Sequence, residues 1–266
     1  MLKDRIRRRL YRYLETAKDR LFKVRFIVSW FVWEKYCYSK TLYRRFNIRD
    51  IKPYHFRGWH GGTSAFVGMQ DGKKVFIKRS ILKEAIDSEV SNIQLLKESG
   101  SKACFETCEI LGTIQLGHQH IVIESFIEGV PFSQALKTMS NEEISDVFLR
   151  LCDVIAFFGR IRFIHCDFTP GNIFLSQNGI YIIDFEFGTF ADRPTQNKRL
   201  LSLPREKVNG LGGIYSLRNG LIDDSYSLVQ MINHHCPSFS ISHRDKWISL
   251  NLNILNNSIE PATIRK

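Results

Sequence analysis

The chain has 266 residues, 44% of them hydrophobic, and a formal net charge of +11. That length and apolar share suffice for one generous core or two small lobes, which excludes disorder of the whole chain. Residues 1–50 hold 15 Lys/Arg against 5 Asp/Glu, a balance of +10 that leaves +1 for the rest, so a near-neutral body carries a basic arm and the arm meets whatever polyanion attracts the chain.

In the arm, Leu2, Ile6, Leu10 and Leu14 recur every four residues, with Arg5, Arg8, Arg9 and Arg12 on the remaining surface. That spacing predicts a basic amphipathic helix. The run FIVSWFVW that follows is too short to span a bilayer and leads into no signal-peptide cleavage site, so neither export nor a transmembrane helix is expected. A basic helix followed by Trp30, Phe31 and Trp33 suits an anionic membrane interface, reached through residues 1–35. The competing reading is a helical extension packed on the body; nucleic acid is the least favoured partner. The six cysteines form no CxxC pair and no zinc-spaced set, and read as free, mostly packing thiols of a reducing compartment.

Past the arm, the Gly-rich segment with Gly58, Gly61 and Gly62 precedes two apolar runs, Ala65–Gln70 and Lys73–Lys78, around Asp71-Gly72, a two-residue hairpin signal. Ile86, Val90, Ile93 and Leu96 then fall at helical spacing, with Gly100 as the stop. Strand-like EILGTIQLG and HIVIESFIEG follow. Ser140 with Glu143 makes a capping box ahead of the stripe Ile144, Val147, Phe148, Leu151, Val154, Ile155 and Phe158. This helix delivers the chain to HCDFTPGN, after which IFLSQNGIYIIDFE reads as a hairpin around Asn178-Gly179. Residues 187–222 read as loop, SYSLVQMI as a helix, and the tail NNSIEPATIRK as fraying.

The second hairpin carries a geometric argument. Asn172 and Asp184 each lie six residues from Asn178, so pairing the strands brings an amide oxygen and a carboxylate to the open end, offset by about one residue. Such a pair can share a magnesium ion whose other ligands are nucleotide phosphates. Asp167, in the loop leading to the same end, is placed to accept a proton from an attacking hydroxyl. A lone Asp-x4-Asn is ordinarily an Asx-bonded turn, but here the Gly-rich loop, the Lys78 hairpin, a helix with Glu89, the catalytic loop and the metal hairpin follow in the chain order of a kinase.

On these motifs, over about residues 55–235, the chain resembles the protein-kinase-like superfamily. The resemblance implies an α+β, two-lobed fold with a basic helical N-terminal extension: an arm over 1–50, a nucleotide-binding N-lobe over 51–126 and a catalytic C-lobe over 127–266. VFIK implies that Lys78 holds nucleotide phosphates and DSEVSNIQLL that Glu89 is its helix partner. IVIESFIEG resembles the inter-lobe hinge, with Glu124 and Phe126 at the adenine. HCDFTPGN implies a structural His165, Asp167 as base and Asn172 as metal ligand; IIDFE supplies Asp184; DDSYSL resembles the helix start whose Asp224 buttresses the catalytic loop. ATP and Mg2+ are the implied cofactors. Cys166 stands where regulated protein kinases carry the arginine that reads activation-loop phosphorylation, and Asp-Phe-Glu replaces Asp-Phe-Gly, so constitutive activity is expected. With the basic arm, the pattern most resembles bacterial lipopolysaccharide-core sugar kinases. That implies a lipid-linked sugar acceptor, such as an inner-core heptose, at the cytoplasmic face of the inner membrane. The alternatives are a soluble small-molecule or protein Ser/Thr kinase, or a pseudokinase binding module.

Overall fold

The computed structural model describes residues 35–54, 63–100, 104–192, 197–203, 205–208, 210–217 and 221–239, helical positions Leu21, Val24 and Val28, and strand pairs within 248–264. The expected amphipathic helix with Leu2, Ile6, Leu10 and Leu14, the aromatic run with Trp30, Phe31 and Trp33, and the glycines Gly58, Gly61 and Gly62 lie outside the described residues. The chain divides into two units, residues 1–83 with 109–126, and residues 84–108 with 127–266. Residues 84–108, which carry Glu89, thus group with the second unit.

In the first unit, helix α1 (Lys35–Phe46) precedes β1 (Ile48–Pro53), β2 (Thr63–Gln70), β3 (Lys73–Ser80), β4 (Ile110–Leu116) and β5 (Gln119–Ser125). The strands form one antiparallel sheet in the order β1-β2-β3-β5-β4. Gln70 pairs with Lys73 across Asp71-Gly72, and φ of 49° and 80° at those two residues is the doubly positive turn that Asp-Gly favours. Alternation along β3 sends Val75, Ile77 and Arg79 to the buried face, where Tyr38 and Leu42 of α1 meet Ile48, Phe66, Ile121 and Ile123. Arg79 is fully buried there, donating from Nε to Ser64 Oγ at 2.8 Å and stacked between Tyr38 and Phe66 at 4.9 and 5.2 Å.

The second unit contains α2 (Lys83–Glu98, from Glu84 on), β6 (Val130–Pro131), α3 (Phe132–Ala135), α4 (Asn141–Ile161), β7 (Phe163–Ile164), β8 (Ile173–Ser176), β9 (Gly179–Ile182) and β10 (Thr189–Phe190). It continues through α5 (Lys198–Leu201), α6 (Arg205–Val208), β11 (Leu221–Ile222), α7 (Asp224–His235) and β12 to β15 (Ile248–Ser249, Leu252–Asn253, Ser258–Ile259, Thr263–Ile264). The capping box forms as the sequence predicts: Ser140 Oγ accepts from Glu143 N–H and Glu143 Oε2 accepts from Ser140 N–H. All seven stripe residues of α4 are buried. An aromatic column runs from it toward the HCDFTPGN loop, Phe158 to Phe163 at 5.1 Å, Phe163 to Phe185 at 6.0 Å and Phe185 to His165 at 4.9 Å.

Three expectations are corrected. The second hairpin turns at Gln177-Asn178, with Ser176 paired to Gly179; neither turn residue has positive φ, and the glycine instead supplies φ of 139° where the chain enters β9. Residues 187–222 are not loop throughout: β10, α5, α6 and β11 occupy part of them, because Leu200, Val208, Leu211 and Ile222 bury against Ile164 and Cys166. Within the tail, Ser258–Ile259 pairs with β13 and Thr263–Ile264 with β12, satisfying backbone groups that would otherwise need water, and its other residues lie outside those described. No helix among the described residues is long and apolar enough to cross a membrane, and all six cysteines are free thiols.

Candidate functional site

In the first unit the sheet offers one face away from α1. Lys78 pairs in register with Ala65 of β2 and Val122 of β5, so these side chains share that face with Phe76, whose partner on β5 is Glu124. Glu124 is buried. Phe126 follows β5, with Tyr54 edge-on at 6.1 Å and the Lys74 ammonium at 5.4 Å from its ring centre. Lys78, Glu124 and Phe126 therefore belong to one sheet and its exit, while Glu89 sits buried on α2 in the second unit.

In the second unit the HCDFTPGN loop hangs from one buried carboxylate. Asp224, the first residue of α7, accepts His165 N–H at 2.6 Å on Oδ2 and Cys166 N–H at 3.2 Å on Oδ1. Those two bonds hold Cys166 in the left-handed region, with φ of 70°. Burial pushes the Asp224 carboxyl up to about 7, against the two N–H bonds that favour its charge. The His165 ring lies inside: Asp167 N–H donates to Nδ1 at 3.3 Å, which leaves the proton on Nε2 for the Ile183 carbonyl at 3.0 Å. Desolvation lowers its pKa to about 4, so the imidazole is neutral and structural.

Asp167 itself is only partly buried. Gly212 N–H donates to its Oδ1 at 2.7 Å, and Asn172 Nδ2 donates to its Oδ2 at 3.0 Å and its carbonyl at 2.9 Å. Desolvation is the main cause raising its pKa to about 6, with Asp184 and Glu186 adding in the same direction and the Gly212 and Asn172 bonds opposing. The bond from Gly212 gave no signal in the sequence, because a backbone donor 45 residues away carries no side-chain motif.

The hairpin brings the remaining two residues together. Ile173 pairs with Ile182, and Ile183 N–H donates to the Asn172 carbonyl at 3.0 Å, so Asp184 stands one residue past the position opposite Asn172. Asp184 sits at a left-handed corner, φ 64°, that turns the chain into a short 3-10 turn over Phe185–Phe187. The donor set fits a divalent metal of hard character. The Asn172 NH2 is committed to Asp167, which leaves its amide oxygen, and Asp184 adds a carboxylate. No cluster of three or more His, Cys, Asp or Glu able to hold a metal exists among the described residues, so such an ion would depend on nucleotide phosphates for its other ligands.

Cys166 is an apolar, buried side chain in this loop. It is 1% exposed in the cluster of Ile164, Leu200, Val208 and Leu211, and burial pushes its thiol well above the ordinary range. Leu200, Val208 and Leu211 are thus packed against the loop that carries Cys166. Glu186 meets Arg199 Nη2 at 3.9 Å, the guanidinium lying 5.3 Å from the Phe187 ring centre.

No curated protein matches the chain. The RIO domain model matches residues 63–201, from β2 through the HCDFTPGN loop and the β8–β9 hairpin to α5, and covers more than half of the sequence. On that match and this geometry, the chain belongs to the RIO domain family, members of the protein-kinase-like superfamily that are atypical kinases, phosphotransferases with hydroxyl acceptors.

Proposed function

We propose that this ATP-binding phosphotransferase moves the γ-phosphoryl group of ATP to a protein seryl or threonyl hydroxyl, with Asp167 as base, Asn172 and Asp184 as ligands of Mg2+, and Lys78 on the nucleotide phosphates. Membership of the RIO domain family supports the class of reaction, ATP and divalent metal in general, and favours a protein acceptor over the lipid-linked sugar that the sequence pattern first suggests. In the step itself the acceptor oxygen bonds to phosphorus, the bond from phosphorus to the β,γ-bridging oxygen breaks, ADP leaves, and the hydroxyl proton passes to the Asp167 carboxylate. A divalent metal held by the Asn172 amide oxygen and the Asp184 carboxylate would neutralise charge at the transferring phosphates.

The observation that carries the transfer step, whichever the acceptor, is the geometry around Asp167; the acceptor class rests on the family match alone. Both carboxylate oxygens are oriented by fixed donors, Gly212 N–H and the Asn172 amide, and each oxygen retains a second acceptor position. Its pKa of about 6 makes it a stronger base than an ordinary aspartate while leaving it largely ionised at neutral pH. Incubating the purified chain with ATP, Mg2+ and a panel of protein and Ser/Thr peptide acceptors tests it: phosphoserine or phosphothreonine in the product supports the proposal, and ATP turnover confined to non-protein acceptors refutes the acceptor class.

A second reading keeps the lipid-linked sugar as acceptor, and one observation favours it: the +10 balance of residues 1–50 beside the aromatic run FIVSWFVW. A basic arm of that kind suits an anionic surface and a phosphate-bearing glycolipid, and puts the work at the cytoplasmic face of the inner membrane. Transfer to membrane lipid lacking core phosphate, with none to protein, is the result that selects it.

A further inference from the structure

The metal loop, residues 184–188, is gripped by two asparagines that the proposed chemistry does not use. From α2, Asn92 Nδ2 donates to the carbonyls of Phe185 at 2.8 Å and Gly188 at 2.7 Å. From the N-cap of α5, Asn197 Nδ2 donates to the carbonyls of Glu186 at 3.1 Å and Gly188 at 2.6 Å. Asn197 Oδ1 meanwhile accepts Leu200 N–H at 2.8 Å, capping α5, and Ser88 of α2 donates to the same oxygen at 3.3 Å. Both asparagines are buried, 7% and 5% exposed. Adding His165 on Ile183, the carbonyls of residues 183, 185, 186 and 188 all accept side-chain bonds. The glycine at the shared acceptor is required: a Cβ on Gly188 would lie 2.5 Å from the Phe163 ring and 3.2 Å from Asn92 Nδ2.

We infer that Asn92 and Asn197 are positioning residues which hold the Asp184 loop in its metal-ready conformation before any metal or nucleotide arrives. The inference rests on Asp184 being a metal ligand. The physical reason is the left-handed corner at Asp184: a non-glycine residue at φ 64° is held there only if the surroundings over-determine it. Here the carbonyls after the corner are fixed from two directions, by α2 and by α5. The α2 helix and the α5 segment thereby share one hydrogen-bond acceptor, Gly188 O, so displacing either loosens the loop that carries Asp184.

The test uses the full chain and Mn2+ as the probe, with free Mn2+ followed by electron paramagnetic resonance in the presence of ADP. Asn92→Leu removes one donor pair. Asn197→Ser keeps a hydroxyl able to cap α5 but removes the amide that spans two carbonyls. Each is expected to weaken Mn2+ binding about tenfold, the loss usual when a group behind a metal ligand is removed, with turnover at saturating Mn2+ within about threefold of wild type. The double variant should lose less than the product of the two, because both bonds end on Gly188 O. Mn2+ affinity within about twofold of wild type in variants that have lost thermal stability overturns the inference, since the amides then serve the fold alone. Asp184→Asn run alongside separates the two levels: unchanged Mn2+ binding there removes the metal assignment itself, whereas a loss confined to Asp184→Asn removes only the positioning role. Wild-type amide exchange gives an arm that needs no variant. Gly188 N–H, bonded to Phe185 O at 3.0 Å, should be protected before Mn2+ is added; protection that arises only with Mn2+ and nucleotide contradicts pre-positioning.

Discussion

Replacing Asp224 with alanine removes the one carboxylate from which the catalytic loop is suspended. The two N–H groups it accepts, from His165 and Cys166, are buried, and both residues are at or below 1% exposure. Leaving a buried donor without a partner costs about 2 kcal/mol, so the two together give about 4 kcal/mol, before any loss from the left-handed Cys166 that the bonds hold in place. The loss falls on function as well, because Asp167 follows directly and its N–H bonds the His165 ring. Urea denaturation followed by circular dichroism, read beside turnover on the same sample, checks both. The expected outcome is a midpoint shifted down in proportion to about 4 kcal/mol and turnover reduced even at low urea. A stability loss below about 1 kcal/mol with unchanged turnover would refute the suspension argument, since water would then be serving both donors at little cost.

Three further predictions concern stability and the arm. His165 is held neutral to about pH 4, against 6.5 in the unfolded chain; the unfolded state therefore binds the proton first, and the contribution of His165 to stability falls by about 3 kcal/mol as pH drops from 6.5 to 4, while the raised carboxyls of Asp167 and Asp224 act in the opposite sense over the same window. Comparing wild type with His165→Asn across that window isolates this contribution, and parallel curves would contradict it. Ser140→Ala breaks the reciprocal box at the start of α4 and should cost about 1 kcal/mol in thermal or chemical unfolding, with turnover at native temperature unchanged. Removing residues 1–25 should abolish salt-sensitive binding to anionic vesicles while preserving turnover on a soluble acceptor, each Lys or Arg near the surface contributing about 1 kcal/mol; a truncated chain that no longer folds makes the arm a structural extension.

The parts of the fold that the sequence announces are those built from near neighbours. The Asp71-Gly72 turn, the Ser140 capping box and the buried stripe of α4 are local patterns whose physics acts within a few residues, and each forms at its expected place. The second hairpin was legible as a hairpin but not to the residue: Asn-Gly suggests a doubly positive turn, and the chain instead spends the glycine at the strand entry. The offset between Asn172 and Asp184 survives the shift because one slipped residue leaves both at the open end. What could not be read is the support from a distance. Asn92 reaches Gly188 across 96 residues and Gly212 reaches Asp167 across 45; a single amide or glycine in a sequence has no periodicity and no motif to distinguish it. The short helices within 197–208 were hidden for a related reason, since Leu200 and Val208 bury against Cys166, and tertiary burial stabilises segments too short to be helical alone.

The most direct measurement is phosphoryl transfer by the purified full-length chain, using ATP labelled at the γ-phosphate with Mg2+ and the acceptor panel, run in parallel for wild type, Asp167→Asn and Asp184→Asn. Wild type should transfer label to a hydroxyl. Asp167→Asn should lower the turnover number by about 10² to 10⁴ with nucleotide affinity kept, and Asp184→Asn should lose metal-dependent turnover with the fold intact. Wild-type rates in either variant, or a wild-type chain that binds ATP and transfers nothing to any hydroxyl, would contradict the account.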